Sequence, residues 1–419
     1  MFHPKKIFKR IGPGVITGAS DDDPSGIATY SQAGAQFGYQ LLWLSLFTTP
    51  LMMAVQEMSA RLGMVTGRGL AGILRRHVSA KVVLVLSLLL FTVNTINIGA
   101  DLGAMAEAAR LILPISSWLY LIVFAVIIIA LEIFVSYRKY VNVLRWLTLA
   151  LFSYVATAFV IQQDWWSIVQ HTLVPTLAAG KDTWIIMVAV LGTTISPYLF
   201  FWQASEEVEE EIDSGRTTLP QRQQVTTKEL AGMRRDVSIG MIFSNLVMFF
   251  IMVATASTLF RFGITDIATA GQAAEALRPL AGSASFILFT LGILGTGLLA
   301  VPVLAGSASY ALSEVFGWRE GLSKSYRQAR AFYLVIALAI MLGALTNFLG
   351  VSPIRFLILT AVLNGLLAPV MLWFIIRLAD RREVVGTHAS PRSVRFGAWL
   401  TFAVMSISGI ALIIQLLTQ

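Results

Sequence analysis

From Ile11 to the C-terminus the chain is a succession of apolar runs, each about 20 residues long, joined by short connectors rich in lysine and arginine. A helix of that length spans the roughly 30 Å hydrocarbon core of a bilayer. A water-soluble core would need polar faces on these helices. Only 13% of the residues are charged, 56% are hydrophobic and the mean hydropathy is +0.74, whereas soluble domains carry about 25% charge. The expectation is an all-α, polytopic membrane protein forming one transmembrane domain over residues 1–419. Eleven spans are predicted, at about 12–36, 40–60, 82–109, 117–137, 141–161, 183–204, 237–260, 284–313, 329–349, 353–376 and 396–417.

The formal net charge of +8 raises nucleic acid as a partner. The distribution of the charge argues against it. With the N-terminus in the cytoplasm, 26 lysines and arginines fall on inner segments, and only Arg110, Lys181, Arg261, Arg278 and Arg355 fall outside. That is the positive-inside pattern, and it places the C-terminus outside. The start, HPKKIFKRIGPG, lacks the short apolar core and cleavage site of a signal peptide. With no cysteine there is no disulfide framework and no thiolate metal site. The longest polar break, Glu206 to Asp236, is too short for a domain and reads as an inner loop.

Within the first span stands GASDDDPSG, with Asp21, Asp22 and Asp23 ahead of Pro24. The sixth span holds LGTTISPYLFFWQ, with Pro197 amid small and polar residues. Proline removes a backbone donor, and freed backbone groups inside a bilayer survive only where they line a cavity or an ion. The breaks lie five spans apart. This predicts an inverted repeat, about 12–161 against 183–376, with an extra helix at about 396–417. Buried carboxylates mark ion or proton pathways, and hard oxygen ligands suit hard divalent cations. Asp23, next to the proline, is placed to face the unwound turn. Asp21 and Asp22 extend the site, face its entrance or end the helix in solvent.

At these residues the chain resembles the NRAMP family of divalent metal transporters, which have a LeuT-like fold. GPG opens span one, DDDPSG falls where the family has Asp-Pro-Gly-Asn, and QEMSARLGMVTGRGLA is close to its span-two ending. ADLGAMAEA resembles its Asp-Leu-Ala-Glu stretch, and TTISPYLFFWQ falls on its Ala-Thr-Val-Met-Pro-His. The resemblance implies a metal site at Asp23, Gly26, Thr193, Ser196 and Tyr198, with Thr193 acting through its carbonyl. Asp23, Pro24, Pro197 and Asp101 match by identity. Gly26 stands for the asparagine, Ser196 for the methionine, Tyr198 for the histidine and Ala104 for the span-three glutamate. Loss of the soft thioether removes the preference for transition metals, and smaller side chains widen the cavity. The departures therefore resemble the magnesium-transporting branch: Mg²⁺ uptake by alternating access without proton coupling. Proton-coupled Mn²⁺ or Fe²⁺ import is the alternative, and amino-acid transport on the same fold is another class. The aspartates oppose the anionic group that an amino acid would bring. A sensor or structural subunit is a third class, weakened by the lack of a soluble domain.

Asp21, Asp22, Asp101, Glu107 and Asn364 are the further candidates for an ion pathway, each against a bland reading. Glu107 also reads as solvated, Asn364 as packing between helices, and Glu132 as a partner of Arg138 or Lys139. The acidic run Glu206, Glu207, Glu209, Glu210, Glu211 and Asp213 reads as a solvated helix end or a cation-concentrating mouth. His3, His77, His171 and His388 all fall in predicted loops or tails. Trp165, Trp166 and Trp184 read as interface anchors. No enzymatic motif is present and no cofactor is implied. The expected partners are a divalent ion and the lipid bilayer of the cell membrane, with no nucleic acid and no obligatory protein.

Overall fold

The computed structural model describes residues 12–135, 147–176 and 182–418. Among them every regular element is helical. The helices that build the bundle are α1 (Pro13–Asp21), α2 (Pro24–Phe37), α3 (Trp43–Thr66), α4 (Ala80–Ile112), α5 (Ser117–Phe134), α6 (Phe152–Val160), α7 (Thr183–Thr194), α8 (Pro197–Asp213), α9 (Thr227–Thr258), α10 (Ser285–Phe316), α11 (Arg330–Thr346), α12 (Pro353–Ala379) and α13 (Arg392–Thr418). Among the described residues, eight helical segments are long and apolar enough to cross a membrane. The interrupted α1–α2 pair is not among them, because each piece is short. Of span five, residues 141–146 lie outside the described residues. So do Arg138, Lys139, Lys181, His3 and the basic N-terminal residues. Glu132 is buried, and its charge acts on Tyr333 of α11.

Both proline breaks are present. α1 stops at Asp21 and α2 starts at Pro24; α7 stops at Thr194 and α8 starts at Pro197. In each, proline occupies the first helical position, where its missing N–H costs nothing. α9 lies along α1, α2 and α3, while α4 lies along α10, α11 and α12. The breaks are therefore enclosed on both sides.

The polar break after span six is a correction to the sequence reading. α8 continues to Asp213 and α9 begins at Thr227. The glutamates are good helix formers and carry the first helix on. A capping box starts the second: the Thr226 N–H donates to Glu229 Oε2 at 2.8 Å, and the Glu229 N–H returns to Thr226 Oγ1 at 3.3 Å. The acidic run is only partly the solvated helix end expected: Glu210 and Asp213 are exposed and Glu206 is half-buried. Glu207, Glu209 and Glu211 are buried. Gln203 Nε2 donates to Glu207 at 2.9 Å, the Ser323 N–H donates to Glu209 at 3.3 Å, and Arg216 lies 3.7 Å from Glu211.

α1 has only nine residues, too few for a stable isolated helix, so its seat decides its position. Asp236 of α9 accepts from the Gly12 N–H at 3.1 Å and the Gly14 N–H at 2.7 Å. A carboxylate on free N-terminal amides both caps the helix and meets its positive dipole end. One turn further, a Cβ on Gly18 would overlap the Gly240 backbone. The two backbones touch there, as small residues allow between membrane helices.

Candidate metal site at the two helix breaks

Each proline leaves the carbonyl four residues earlier without its helical donor. At the first break that carbonyl is Ser20 O, and the Tyr198 hydroxyl donates to it from 3.2 Å. At the second it is Thr193 O, and the Ser196 hydroxyl lies 2.9 Å from it and 2.6 Å from Gly192 O. The phenol of the second break thus repairs the first, and Ser196 repairs its own. Ser196 and Tyr198 were expected among the metal-site residues. In this conformation both hydroxyl hydrogens go to backbone carbonyls, and each oxygen keeps lone-pair capacity.

Asp23 is the N-cap of α2. Its Oδ1 accepts from the Gly26 N–H and the Ser25 hydroxyl, each at 2.7 Å. Its Oδ2 accepts from Asn97 Nδ2 of α4 at 3.0 Å. Ser25 Oγ lies 3.3 Å from Thr193 Oγ1, and the Tyr30 hydroxyl lies 3.1 Å from Thr194 Oγ1. These contacts draw the start of α2 onto the end of α7. Asp21 and Asp22 are completely buried, which excludes the solvated helix end. Ser244 of α9 bonds Asp21 Oδ2 and reaches Asp22 Oδ1 at 3.3 Å. Asp21 Oδ1 and Asp22 Oδ2 have no hydrogen-bond partner, and neither does either oxygen of Asp101. Asp101 lies close enough to Asp23 and the Ser25 amide for their charges to act on it.

The structure thus gathers Asp21, Asp22, Asp23, Gly26, Thr193, Ser196, Tyr198 and Asp101 around the two breaks. Every one of them is buried. Glu107 does not join them. It is half-buried at the far end of α4, where Oε1 accepts from the Ala270 N–H at 3.1 Å, at the start of the short helix Ala270–Ala274. The solvated reading is corrected to that of an anchor for this connection. Asn364 is buried in α12 with Oδ1 unpartnered. His77 and His171 lie on the short helices Leu70–His77 and Trp165–Leu173 rather than in loops. Trp165 and Trp166 begin the latter helix and are exposed, while Trp184 packs against the core.

Three residues escaped the sequence reading: Ser25, Asn97 and Ser244. Asn97 had a legible signal, since Asn94, Asn97 and Asp101 recur at helical spacing on one face of an apolar helix. Ser244 had none. Among the described residues no three Asp, Glu, His or Cys side chains converge as a metal cluster. A cation here would draw on carboxylates together with carbonyls, hydroxyls and amides. The C-terminal ends of α1 and α7 add the negative ends of their dipoles.

A separate cavity of about 310 Å³ lies beside the far end of α8, lined by Arg68, Arg222, Glu209, Glu314, Glu320 and Lys324 among others. Burial and the Glu314 carboxylate push the Glu320 carboxyl well above its ordinary range. It shares no residue with the breaks.

Fold and site define a multi-pass membrane protein of LeuT-like architecture, with a buried carboxylate cluster between two interrupted helices. The chain belongs to the Nramp family: the profile described as natural resistance-associated macrophage protein-like matches residues 14–415. It is 27% identical over 434 residues to the divalent metal cation transporter MntH of Ralstonia nicotianae, covering 99% of this chain and 92% of that one. MntH of Klebsiella pneumoniae is 28% identical over 411 residues, covering 95% and 92%. Among solved structures, the Eremococcus coleocola manganese transporter superposes with a TM-score of 0.73 at 18% identity, over 98% of this chain and 88% of that one. Mhp1, a nucleobase-cation-symport-1 family transporter, superposes at 0.57 and 13% identity, over 98% and 91%. At these identities the structural likeness speaks for the fold alone.

Proposed function

We propose that the chain is a divalent metal cation transporter of the cell membrane, working by alternating access, with its N-terminus in the cytoplasm and its C-terminus outside. One observation carries this reading. Three fully buried aspartates stand at the first break and a fourth, Asp101 of α4, is near enough for the Asp23 charge to act on it; several of their oxygens have no protein partner, and no lysine or arginine among the described residues bonds them. Such a cluster calls for a positive ion. The same charge disfavours an amino acid, whose carboxylate would meet the aspartates.

For the cargo, an oxygen-only donor set suits Mg²⁺, Ca²⁺ and Mn²⁺ alike. The Eremococcus coleocola structure is that of a manganese transporter, so Mn²⁺ is the first reading. Mg²⁺ is the second. It is favoured by the missing thioether and by a turn at Gly26 with no side chain, which leaves room for an ion that keeps its waters. Neither reading requires a proton partner. Uptake into liposomes holding the purified chain, with Mn²⁺ and Mg²⁺ in competition, tests both. Mn²⁺ entry that resists a large excess of Mg²⁺ supports the first reading. Mg²⁺ entry that resists Mn²⁺ supports the second. Entry of neither ion rejects the transporter.

A further inference from the structure

We propose that Asn97 is a ligand of the transported cation, and that α4 returns through it the side-chain oxygen that the first break lacks at Gly26. The inference rests on the cation-transport reading and adds a residue that neither the motif resemblance nor the helix breaks assign. Asn97 is fully buried. Its amide nitrogen donates to Asp23 Oδ2 at 3.0 Å, so the amide is fixed beside the carboxylate with the best claim on an ion. Its Oδ1 has no partner. Buried amide oxygens in native structures are normally bonded, so an orphan beside a carboxylate calls for an occupant.

The neighbours on the same face do not meet the need. Asn94 Oδ1 is also without a partner, but its nitrogen is held by Leu304 O of α10 at 2.9 Å, and no bond ties the residue to Asp23. Asp101 is a carboxylate that faces the Ser25 amide and makes no bond to Asp23. In span one, the Ser25 hydroxyl already lies on Asp23 Oδ1, and Gly26 offers no side chain. A cation on Asp23 would compete with the Asn97 N–H for Oδ2. A half-turn of the amide then presents Oδ1 to the ion. The two ends of the amide are nearly the same size, so the turn needs no repacking. A neutral amide oxygen is a donor suited to a hard divalent cation.

The test is concentration-dependent Mn²⁺ uptake, with Mg²⁺ in parallel, into liposomes carrying the full chain. Asn97→Ala is expected to weaken apparent affinity about tenfold, with the maximal rate held within about threefold. Asn97→Asp, which keeps an oxygen and loses the N–H, is expected to stay within about threefold of wild type in affinity. Adding Gly26→Asn to Asn97→Ala moves the oxygen back to span one and is expected to recover most of the loss. A Cβ at Gly26 meets Asp21 O and Tyr30 Cε2 at 3.3 Å and Thr193 Oγ1 at 3.4 Å, so small shifts accommodate it. Wild-type affinity in Asn97→Ala overturns the proposal. So does an Asn97→Asp variant as impaired as the alanine, which would make Asn97 only a donor to Asp23, and so does inactivity of all three variants. Full uptake by Asp23→Ala would reject the site itself, whatever the Asn97 variants do.

Discussion

The residue before proline plays opposite parts at the two breaks. Asp23 and Ser196 are both N-caps, and each is followed by proline at the first helical position. Asp23 faces forward, accepting from the Gly26 amide and leaving a charge at the turn. Ser196 faces backward, donating to the carbonyls of Gly192 and Thr193, and makes no cap bond to α8. The first break therefore keeps a charge that only a cation balances, while the second is neutral and closes on itself. The two also differ in how their outer ends are held. α1 is capped by Asp236, whereas Asp182 at the start of α7 makes no side-chain cap. One half-site carries the charge and the other the scaffold.

The largest expected effect breaks that comparison at its charged side. Asp23→Ala should lower divalent uptake by about 100-fold, or ~2.8 kcal/mol, while Ser196→Ala should leave at least about a third of the wild-type rate. Metal uptake by the two purified variants decides it. Equal losses would show that the breaks share the ion evenly, contrary to the division drawn here.

Next in size is the hold on α1. Asp236→Ala frees the amides of Gly12 and Gly14 and removes a helix cap, a change of about 1–2 kcal/mol. With no cysteine in the chain, Ile16→Cys provides a single reporter on α1. Its labelling by a membrane-impermeant thiol reagent should quicken about tenfold when Asp236 is replaced. An unchanged rate would mean that the Gly18–Gly240 contact alone seats the helix.

Tyr198→Phe is a smaller perturbation, because it removes one hydrogen bond between the breaks. It should cost about 1 kcal/mol of stability, by orphaning Ser20 O. The thermal midpoint in detergent measures it. A larger loss of metal affinity than of stability would instead make the phenol a ligand.

The fold was open to sequence reasoning because its two strongest signals are physical necessities. Apolar length reports the bilayer, and paired prolines within spans report cavities. The boundaries of spans six and seven were lost because glutamate and arginine were read as loop composition, although Thr226 and Glu229 spelled a helix start. The site was half legible. Asp23 follows from the break itself, Thr193 only from the family resemblance and Asn97 from its spacing with Asn94 and Asp101, whereas Ser244 acts across helices with no sequence signal. Inside a bilayer a helix has no polar face to reveal which way a lone serine points, so such pairings emerge only when the helices are assembled. Asp236 was hidden for the same reason, in a segment that looked like connector.

The smallest expected effect is a null one, and it concerns protons. Coupling requires groups at the site that change protonation during the cycle. Tyr198 is a poor carrier, since a phenol ordinarily titrates near pH 10 and this one bonds a backbone carbonyl. Ala104 holds no proton, and Glu107 is committed to the Ala270 amide. Asp101 is left as the remaining candidate on α4. A doubly charged ion gains about 2.3 kcal/mol per charge from each 100 mV of membrane potential, enough to drive entry without proton help. Liposomes containing a pH dye, given an inward metal gradient and a negative internal potential, should show uptake with no internal acidification. Acidification that follows the metal and disappears in Asp101→Asn would establish coupling through that aspartate. The charged half-site would then extend from the first break into α4, and the simple division between the two breaks would give way to three participating helices.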